Sequence, residues 1–145
     1  MTMPGTLRWD ELEFLECLEA SPVISEYEVC YAYKVRRDGS ELDVSVWPLE
    51  NVVEFSFCQA GKMVFEFAFF MRGPIQLAKD ENGEYLHFQD GVFAPSRFWY
   101  QQAGDLMDQT LFPTGIDLYL RIKPRIGFQF AAILSPAPNP SHQRT

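Results

Sequence analysis

Basic side chains are scarce in this sequence of 145 residues, which carries 12 Lys and Arg against 20 Asp and Glu. The net charge of −8 argues against the broad basic surface with which nucleic-acid binders neutralise phosphates and release counterions. We therefore expect no nucleic-acid partner. An acidic chain instead favours protein partners that carry positive charge.

Catalytic and metal-binding motifs are also absent from the sequence. It contains two histidines, and the patterns of serine hydrolases, zinc proteases, P-loops and dinucleotide-binding loops do not occur. The cysteines Cys17, Cys30 and Cys58 are odd in number and too widely spaced for a CxxC pair. We expect buried, reduced thiols, no metal and no cofactor. Whether the protein is an enzyme stays uncertain, with a non-enzymatic role favoured.

The chain shows neither a secretory signal nor a long apolar run. Residues Met1 to Thr6 lack the basic and apolar regions of a signal peptide. No apolar stretch approaches the roughly 18 residues that a membrane helix requires. These absences predict a soluble, cytoplasmic protein without a membrane partner.

Large apolar residues dominate the segment from Met63 to Met71, MVFEFAFFM. Alternation places the five odd-numbered residues on one side of a strand, and Val64, Ala68 and Phe70 make the other side nearly as apolar. Both faces of this strand need cover. The segment therefore predicts a central strand in a sheet with a substantial core.

One amphipathic helix is predicted from Leu7 to Ala20. Asp10 or Thr6 is its expected N-cap, and Ser21-Pro22 ends it because the residue before proline avoids the helical region. We expect its apolar face to pack on one side of the sheet. That predicted face comprises Leu7, Leu12, Phe14, Leu15 and Leu18.

Turn signals separate the segments in which polar and apolar residues alternate. Asp38-Gly39, the tetrapeptide 59–62 and Asn82-Gly83 are typical of hairpin turns, and Asp90-Gly91 is expected to end a short strand. The predicted strands run from Val23 to Arg36, Leu42 to Val46, Val52 to Cys58, Met63 to Met71, Ile75 to Lys79, Glu84 to Phe88, and Asp117 to Ile133 with a turn at Pro124.

Together these elements predict an α+β fold. Its N-terminal helix packs on a curved, mostly antiparallel meander sheet of about seven or eight strands. A closed β-barrel with one helix is the alternative, since closure removes exposed sheet edges. We expect a single α+β domain over residues 1–134 and a flexible, proline-rich tail over residues 135–145.

Two groups of residues are candidates for partner binding. Seven acidic residues and no basic one lie between Asp10 and Glu28, which predicts a concentrated negative field. Farther along, an arginine beside three aromatic residues has the composition of an interface hot spot. The candidate partner-binding residues are Glu13, Glu16, Glu26, Glu28, Arg97, Trp99 and Tyr100.

Other polar residues carry weaker hypotheses. Desolvation of Glu66 among phenylalanines would make it a candidate acid or base, whereas His87 is assigned a structural role. A short basic row is expected to pair with acidic residues such as Glu26 and Glu28 rather than to bind an anion. That row comprises Arg121, Lys123 and Arg125.

These features favour a non-enzymatic acidic module that occludes a basic protein partner. In size and acidic composition it resembles the small proteins that neutralise bacterial toxins, namely immunity proteins and antitoxins. Two alternatives stay open. One is a small-molecule-binding or enzymatic β-cup with a Phe-rich cavity and Glu66, His87 or Arg97 as its polar group. The other is a secretion-chaperone-like assembly factor, and both a monomer and a homodimer remain compatible with the sequence.

Overall fold

The computed structural model describes residues 6–98 and 115–132. Within these ranges one helix packs on a mostly antiparallel sheet of nine strands that does not close into a barrel. The elements are α1 Glu11–Leu18, β1 Val23–Ile24, β2 Tyr31–Arg37, β3 Ser40–Trp47, β4 Val52–Gln59, β5 Lys62–Met71, β6 Ile75–Asp80, β7 Gly83–Ala94, β8 Ile116–Arg121 and β9 Gly127–Ala132. The predicted α+β meander is confirmed, with nine strands rather than seven or eight, and the closed-barrel alternative is wrong.

The described part of the chain has no helix with the length and apolar character needed to cross a membrane. Trp99, Tyr100 and the predicted tail over residues 135–145 lie outside the described residues.

Helix α1 is shorter than predicted, and its buried face differs from the predicted one at Leu12 and Leu15. Asp10 caps it, since its side chain accepts a hydrogen bond from the Leu12 backbone N–H at 2.8 Å. Phe14, Cys17 and Leu18 are buried, whereas Leu12 is exposed. The prediction that Leu12 and Leu15 face the core was therefore wrong, and α1 presents leucines to solvent.

The strand predicted from Val23 to Arg36 is broken in the middle. Ser25 and Cys30 bracket the break, because the Ser25 N–H donates to the Cys30 carbonyl and the Cys30 N–H donates to the Ser25 Oγ, both at 3.0 Å. Residues Glu26–Glu28 form a 3₁₀ turn that interrupts the predicted strand. Alternation of the odd-numbered apolar residues Val23, Tyr27, Val29 and Tyr31 predicts that Tyr27 faces the core, but it is exposed.

The hairpin turns lie where the sequence predicted them. Asp38 and Gly39 join β2 to β3 with φ values of 50° and 81°, and Ala60 and Gly61 join β4 to β5 with 51° and 78°. These positive φ angles suit the tight connections that asparagine, aspartate and glycine favour. Pro124 lies in the connection between β8 and β9.

Strand β5 is central only in its second half. Ala68 to Met71 is buried on both faces, as predicted, but Met63 and Val64 are exposed. The register to β4 pairs Phe57 with Phe65 and Cys58 with Met63, which leaves Val64 as an extra, bulged residue. This bulge turns Met63 to the face opposite Phe65, so the predicted common face of the two was wrong.

Strand β7 bends where the sequence predicted a strand to end. Asp90 has a φ of 56°, and the pairing with β8 shifts between Phe88 and Gly91. Beyond this bulge β7 continues to Ala94 and pairs with β5, whereas before it β7 pairs with β6. The prediction that Asp90-Gly91 ends the strand was wrong. An Asp-Gly pair is typical of turns, but the same residue types also form β-bulges within a continuing strand.

The main core lies on the inner face of the sheet, which we define as the face that α1 covers. The Phe14 ring lies 6.0 Å from that of Phe88, between α1 and β7. At the other end, Phe128 of β9 lies 5.7 Å from Phe55 and 5.1 Å from Phe65, so the sheet curves over its own inner face. A smaller cluster on the outer face comprises Val52, Ala68, Phe70, Val92 and Ala94.

Gly91 allows this bend, and its replacement tests the packing. A Cβ at this position would lie 2.3 Å from the Phe69 ring, which is fully buried. We expect Gly91→Ala to lower the free energy of unfolding by about 1–3 kcal/mol through overpacking. Urea denaturation measures the loss.

Gly127→Ala is the matched control, because no heavy atom lies within 4 Å of a Cβ built there. It should leave stability almost unchanged. Equal losses of unfolding free energy in the two variants would show that contact with the Phe69 ring is not the reason for glycine at position 91.

Candidate partner-binding surface

The exposed face of α1 combines leucines with carboxylates. Leu12 is 70% exposed and Leu15 40% exposed, although both are large and apolar. Glu11 and Glu16 are also exposed, and the three-to-four-residue spacing places all four side chains on the solvent side of the helix. Exposed apolar residues within a polar rim are typical of protein interfaces.

The Glu13 side chain points toward β6 and links helix α1 to the sheet. Its Oε1 accepts a hydrogen bond from the Leu77 N–H at 3.0 Å, and the Arg8 carbonyl accepts one from the Ile75 N–H at 2.9 Å. Both donors belong to the outer edge of β6, which would otherwise be unpaired. Glu13 is thus anchored within the fold, and its role in partner binding stays a prediction.

Glu16 lies beside a second carboxylate that sequence reasoning missed. A hydrogen bond shared with the Glu84 carboxyl raises the pKa of Glu16, and the negative charge of Glu84 raises it further. Glu84 belongs to β7, so nothing in the spacing along the chain links it to the helix. The pair concentrates negative charge at a surface that an incoming cation would stabilise.

Tyr31 contacts both the 3₁₀ turn and Trp9, which precedes the helix. Its hydroxyl donates to Glu28 Oε1 at 3.2 Å. Burial, this hydrogen bond, and the negative charges of Glu28 and Glu11 raise the pKa of the Tyr31 phenol. We call the combined exposed set the acidic surface: Glu11, Leu12, Leu15, Glu16, Glu26, Tyr27 and Glu28.

Arg97 is held by side chains of the sheet. Its Nη1 donates to both carboxylate oxygens of Glu50, at 2.7 and 2.9 Å, and its guanidinium lies 3.5 Å from the centre of the Trp47 ring. The side chain is only 16% exposed. Arg97 therefore braces the start of a connection, and its predicted companions Trp99 and Tyr100 lie outside the described residues.

Cys30 lies between the 3₁₀ turn and the neighbourhood of Arg97. Burial raises the pKa of its thiol, and the charges of Glu54 and Glu50 raise it further while Arg97 opposes them. Since Cys30 comes two residues after the 3₁₀ turn, Glu26 and Glu28 lie toward the end of the sheet that carries Arg97. Glu13 and Glu16 lie on the other side of α1, toward β6 and β7.

The remaining polar candidates have partners within the fold or are solvated. Glu66 is exposed on the outer face opposite Ser56, not desolvated among phenylalanines as hypothesised. His87 Nε2 lies 2.8 Å from Asp117 Oδ2 and its ring stacks on Tyr119, which agrees with the predicted structural role. In the basic row, Arg121 pairs with Asp80 and Lys123 with Glu19, so the pairing was right but Glu26 and Glu28 are not the partners.

No protein-family model matches the chain, and no curated protein matches it either. Among solved structures it is similar to a chain of a contact-dependent growth inhibition toxin–immunity protein complex from Klebsiella pneumoniae 342. The TM-score is 0.67 and the sequence identity 14%, with 89% of this chain and 99% of that chain covered. The likeness shows the fold. At this identity no residue role passes from that protein to this one.

The anchoring role of Glu13 predicts a stability effect. We expect Glu13→Ala to lower the free energy of unfolding by about 1–3 kcal/mol, because it leaves the partly buried Leu77 N–H without an acceptor. Chemical denaturation measures it. Glu11→Ala, on the exposed side of the same helical turn, is the control and should lower the free energy of unfolding much less. Equal losses in the two variants would show that the Glu13–Leu77 hydrogen bond does not stabilise the fold.

The raised pKa of Glu16 predicts a pH-dependent effect. A carboxyl whose pKa is raised by folding stabilises the protein only while protonated, and that stabilisation is lost as pH rises through the raised pKa. Glu16→Gln, which cannot ionise, should therefore have a higher Tm than the parent at neutral pH. The difference should shrink toward about pH 4, where carboxyls protonate.

Thermal melts at both pH values test this, with the exposed Glu81→Gln as control. A Glu16→Gln gain that did not depend on pH would contradict the carboxyl pairing.

Proposed function

We propose that this protein is a non-enzymatic binding module of the immunity-protein type, which occludes a basic protein partner through its acidic surface. A toxin is the partner class that the proposal favours. The protein would act in the cytoplasm, where the free Cys17, Cys30 and Cys58 stay reduced.

The observation that carries the proposal is the exposure of large apolar side chains among carboxylates. On α1, Leu12 and Leu15 are exposed beside Glu11 and Glu16, and in the 3₁₀ turn the exposed Tyr27 lies between Glu26 and Glu28 in the sequence. Folding gains little from such a surface, because its apolar groups remain in water and its like charges repel. A basic partner would remove both costs at once.

The fold supports a protein partner in general terms. The similar structure contains a toxin and an immunity protein, and this chain matches one of its chains over nearly that whole chain. The architecture is therefore compatible with assembly into such a complex. The basic character of the partner here is argued from the charge of this chain alone.

The alternative of a ligand-binding β-cup has less support. Aromatic rings fill the inner face, with Phe55 stacked at 5.0 Å on Phe67 and Phe57 at 5.3 Å on Phe65. Two larger clefts of the described residues, about 500 and 660 Å³, lie at surface turns and are lined by charged side chains such as Arg36 and Arg121. Neither cleft is the Phe-rich cavity that the alternative requires.

Charge reversal tests the proposal. The tagged protein is used to capture partners from its native lysate at low and high salt, with mass spectrometry as readout. We expect one basic protein to be recovered in a salt-sensitive way. The double variant Glu26→Lys/Glu28→Lys should lower its recovery at least about tenfold, since each reversal turns attraction into repulsion.

The control is Glu66→Lys/Glu81→Lys, which changes net charge equally at two exposed glutamates outside the acidic surface. It should retain capture. Recovery of no partner by the parent protein, or equal losses in both double variants, would overturn the proposal.

A further inference from the structure

The turn between β1 and β2 holds an unfavourable backbone conformation. Tyr27 has a φ of 61° and Glu28 a φ of 54°, so two successive non-glycine residues occupy the left-handed region. The Glu28 N–H donates to the Ser25 carbonyl at 3.0 Å, which makes Tyr27 the third residue of a tight turn. Glycine or asparagine normally occupies such a position, because a bulky side chain there is strained.

The surrounding contacts hold this strain in place. Ser25 and Cys30 are joined twice, through the Ser25 N–H and through the Ser25 Oγ, and the Tyr31 hydroxyl fixes the Glu28 carboxylate. None of these contacts involves the Tyr27 ring. The turn is therefore built by its neighbours, and the residue that bears the strain contributes nothing visible to it.

The strain presents an aromatic ring to solvent. Tyr27 is 92% exposed, the highest value among the exposed large apolar side chains of the described residues. Its sequence neighbours Val23 and Val29 are also exposed, at 75% and 37%. A group of exposed apolar side chains around a residue with a strained backbone is typical of an intermolecular contact site.

We propose that Tyr27 is the anchor of the partner interface, and that its ring enters an apolar pocket of a protein partner whose rim carries Lys or Arg side chains. This inference rests on the function proposed above and names the residue on which binding depends most. Tyrosine suits an anchor because it buries a large rigid area at low cost in side-chain entropy.

The negative charges beside Tyr27 indicate what kind of protein would bind there. Glu26 and Glu28 flank Tyr27 in the sequence and are exposed, and the Tyr31 hydroxyl binds only Oε1 of Glu28. The second oxygen of Glu28 and the whole Glu26 carboxylate are placed to pair with cations at the pocket rim. A second copy of this chain would bring carboxylates against carboxylates, so charge favours a basic partner over self-association.

The test separates binding from stability with two substitutions at one position. Tyr27→Asn removes the ring and suits the left-handed backbone, whereas Tyr27→Phe keeps the ring and removes only the hydroxyl. The probe is the purified protein that the parent chain recovers in the salt-dependent capture, with affinity measured by titration and Tm by thermal melt.

We expect Tyr27→Asn to weaken binding at least about thirtyfold, as a hot-spot truncation does, while its Tm stays equal to the parent's or rises by up to about 4 °C. Tyr27→Phe should bind within about threefold of the parent. Val64→Ser, at an exposed apolar residue near the opposite end of the sheet, should leave both quantities unchanged.

Each failure has a distinct meaning. If the parent recovers no basic protein, the proposed function is overturned and the anchor with it. If the parent binds and Tyr27→Asn binds within about threefold, the anchor alone is overturned. A fall in Tm that accompanies lost binding in Tyr27→Asn would also overturn it, because the ring would then serve the fold of the turn.

Discussion

The bend of β7 at Asp90 and Gly91 determines how the other elements are arranged. Because the bulge bends β7, its first half pairs with β6 and its second half pairs with β5. Strand β8 pairs with β7 on both sides of the bend. Gly91 makes this possible, since only a residue without Cβ leaves room for the Phe69 ring. The resulting curvature brings β9 over the inner face of β4 and β5 and closes most of the core without closing the sheet.

The curved sheet also explains why α1 has an acidic, leucine-bearing outer face. The helix covers the end of the core near β6 and β7 and buries only one side. Glu13 holds it in that position through the Leu77 N–H. Leu12 and Leu15 then remain exposed to solvent, so the anchoring that covers the core also creates the surface proposed to bind a partner.

Local signals in the sequence predicted much of the fold correctly. Asp38-Gly39 and Ala60-Gly61 require positive φ angles that few residues accept, and Asp10 is a strong N-cap, so their positions could be read directly. Alternation found most of the strands. It failed at Val64 and at Asp90, where one extra residue changes the face or direction of a strand that otherwise keeps its pattern.

The candidate surface was less predictable because it depends on contacts between distant residues. Leu77 lies 64 residues from Glu13, and Glu84 meets Glu16 only in the folded chain. Tyr27 fits the alternation of a buried strand, and only the backbone geometry shows that it projects into solvent. Acidic composition identified the region correctly as rich in exposed charge, but not the exposed aromatic ring within it.

Amide hydrogen exchange, with and without the captured partner, tests the central claim most directly. The account predicts slowed exchange over residues 11–30, where α1 and the strained turn lie, and unchanged exchange in the β4–β5 hairpin. Protection confined to the edge of β9 or to β5, with residues 11–30 unaffected, would contradict the assignment of the acidic surface as the binding site.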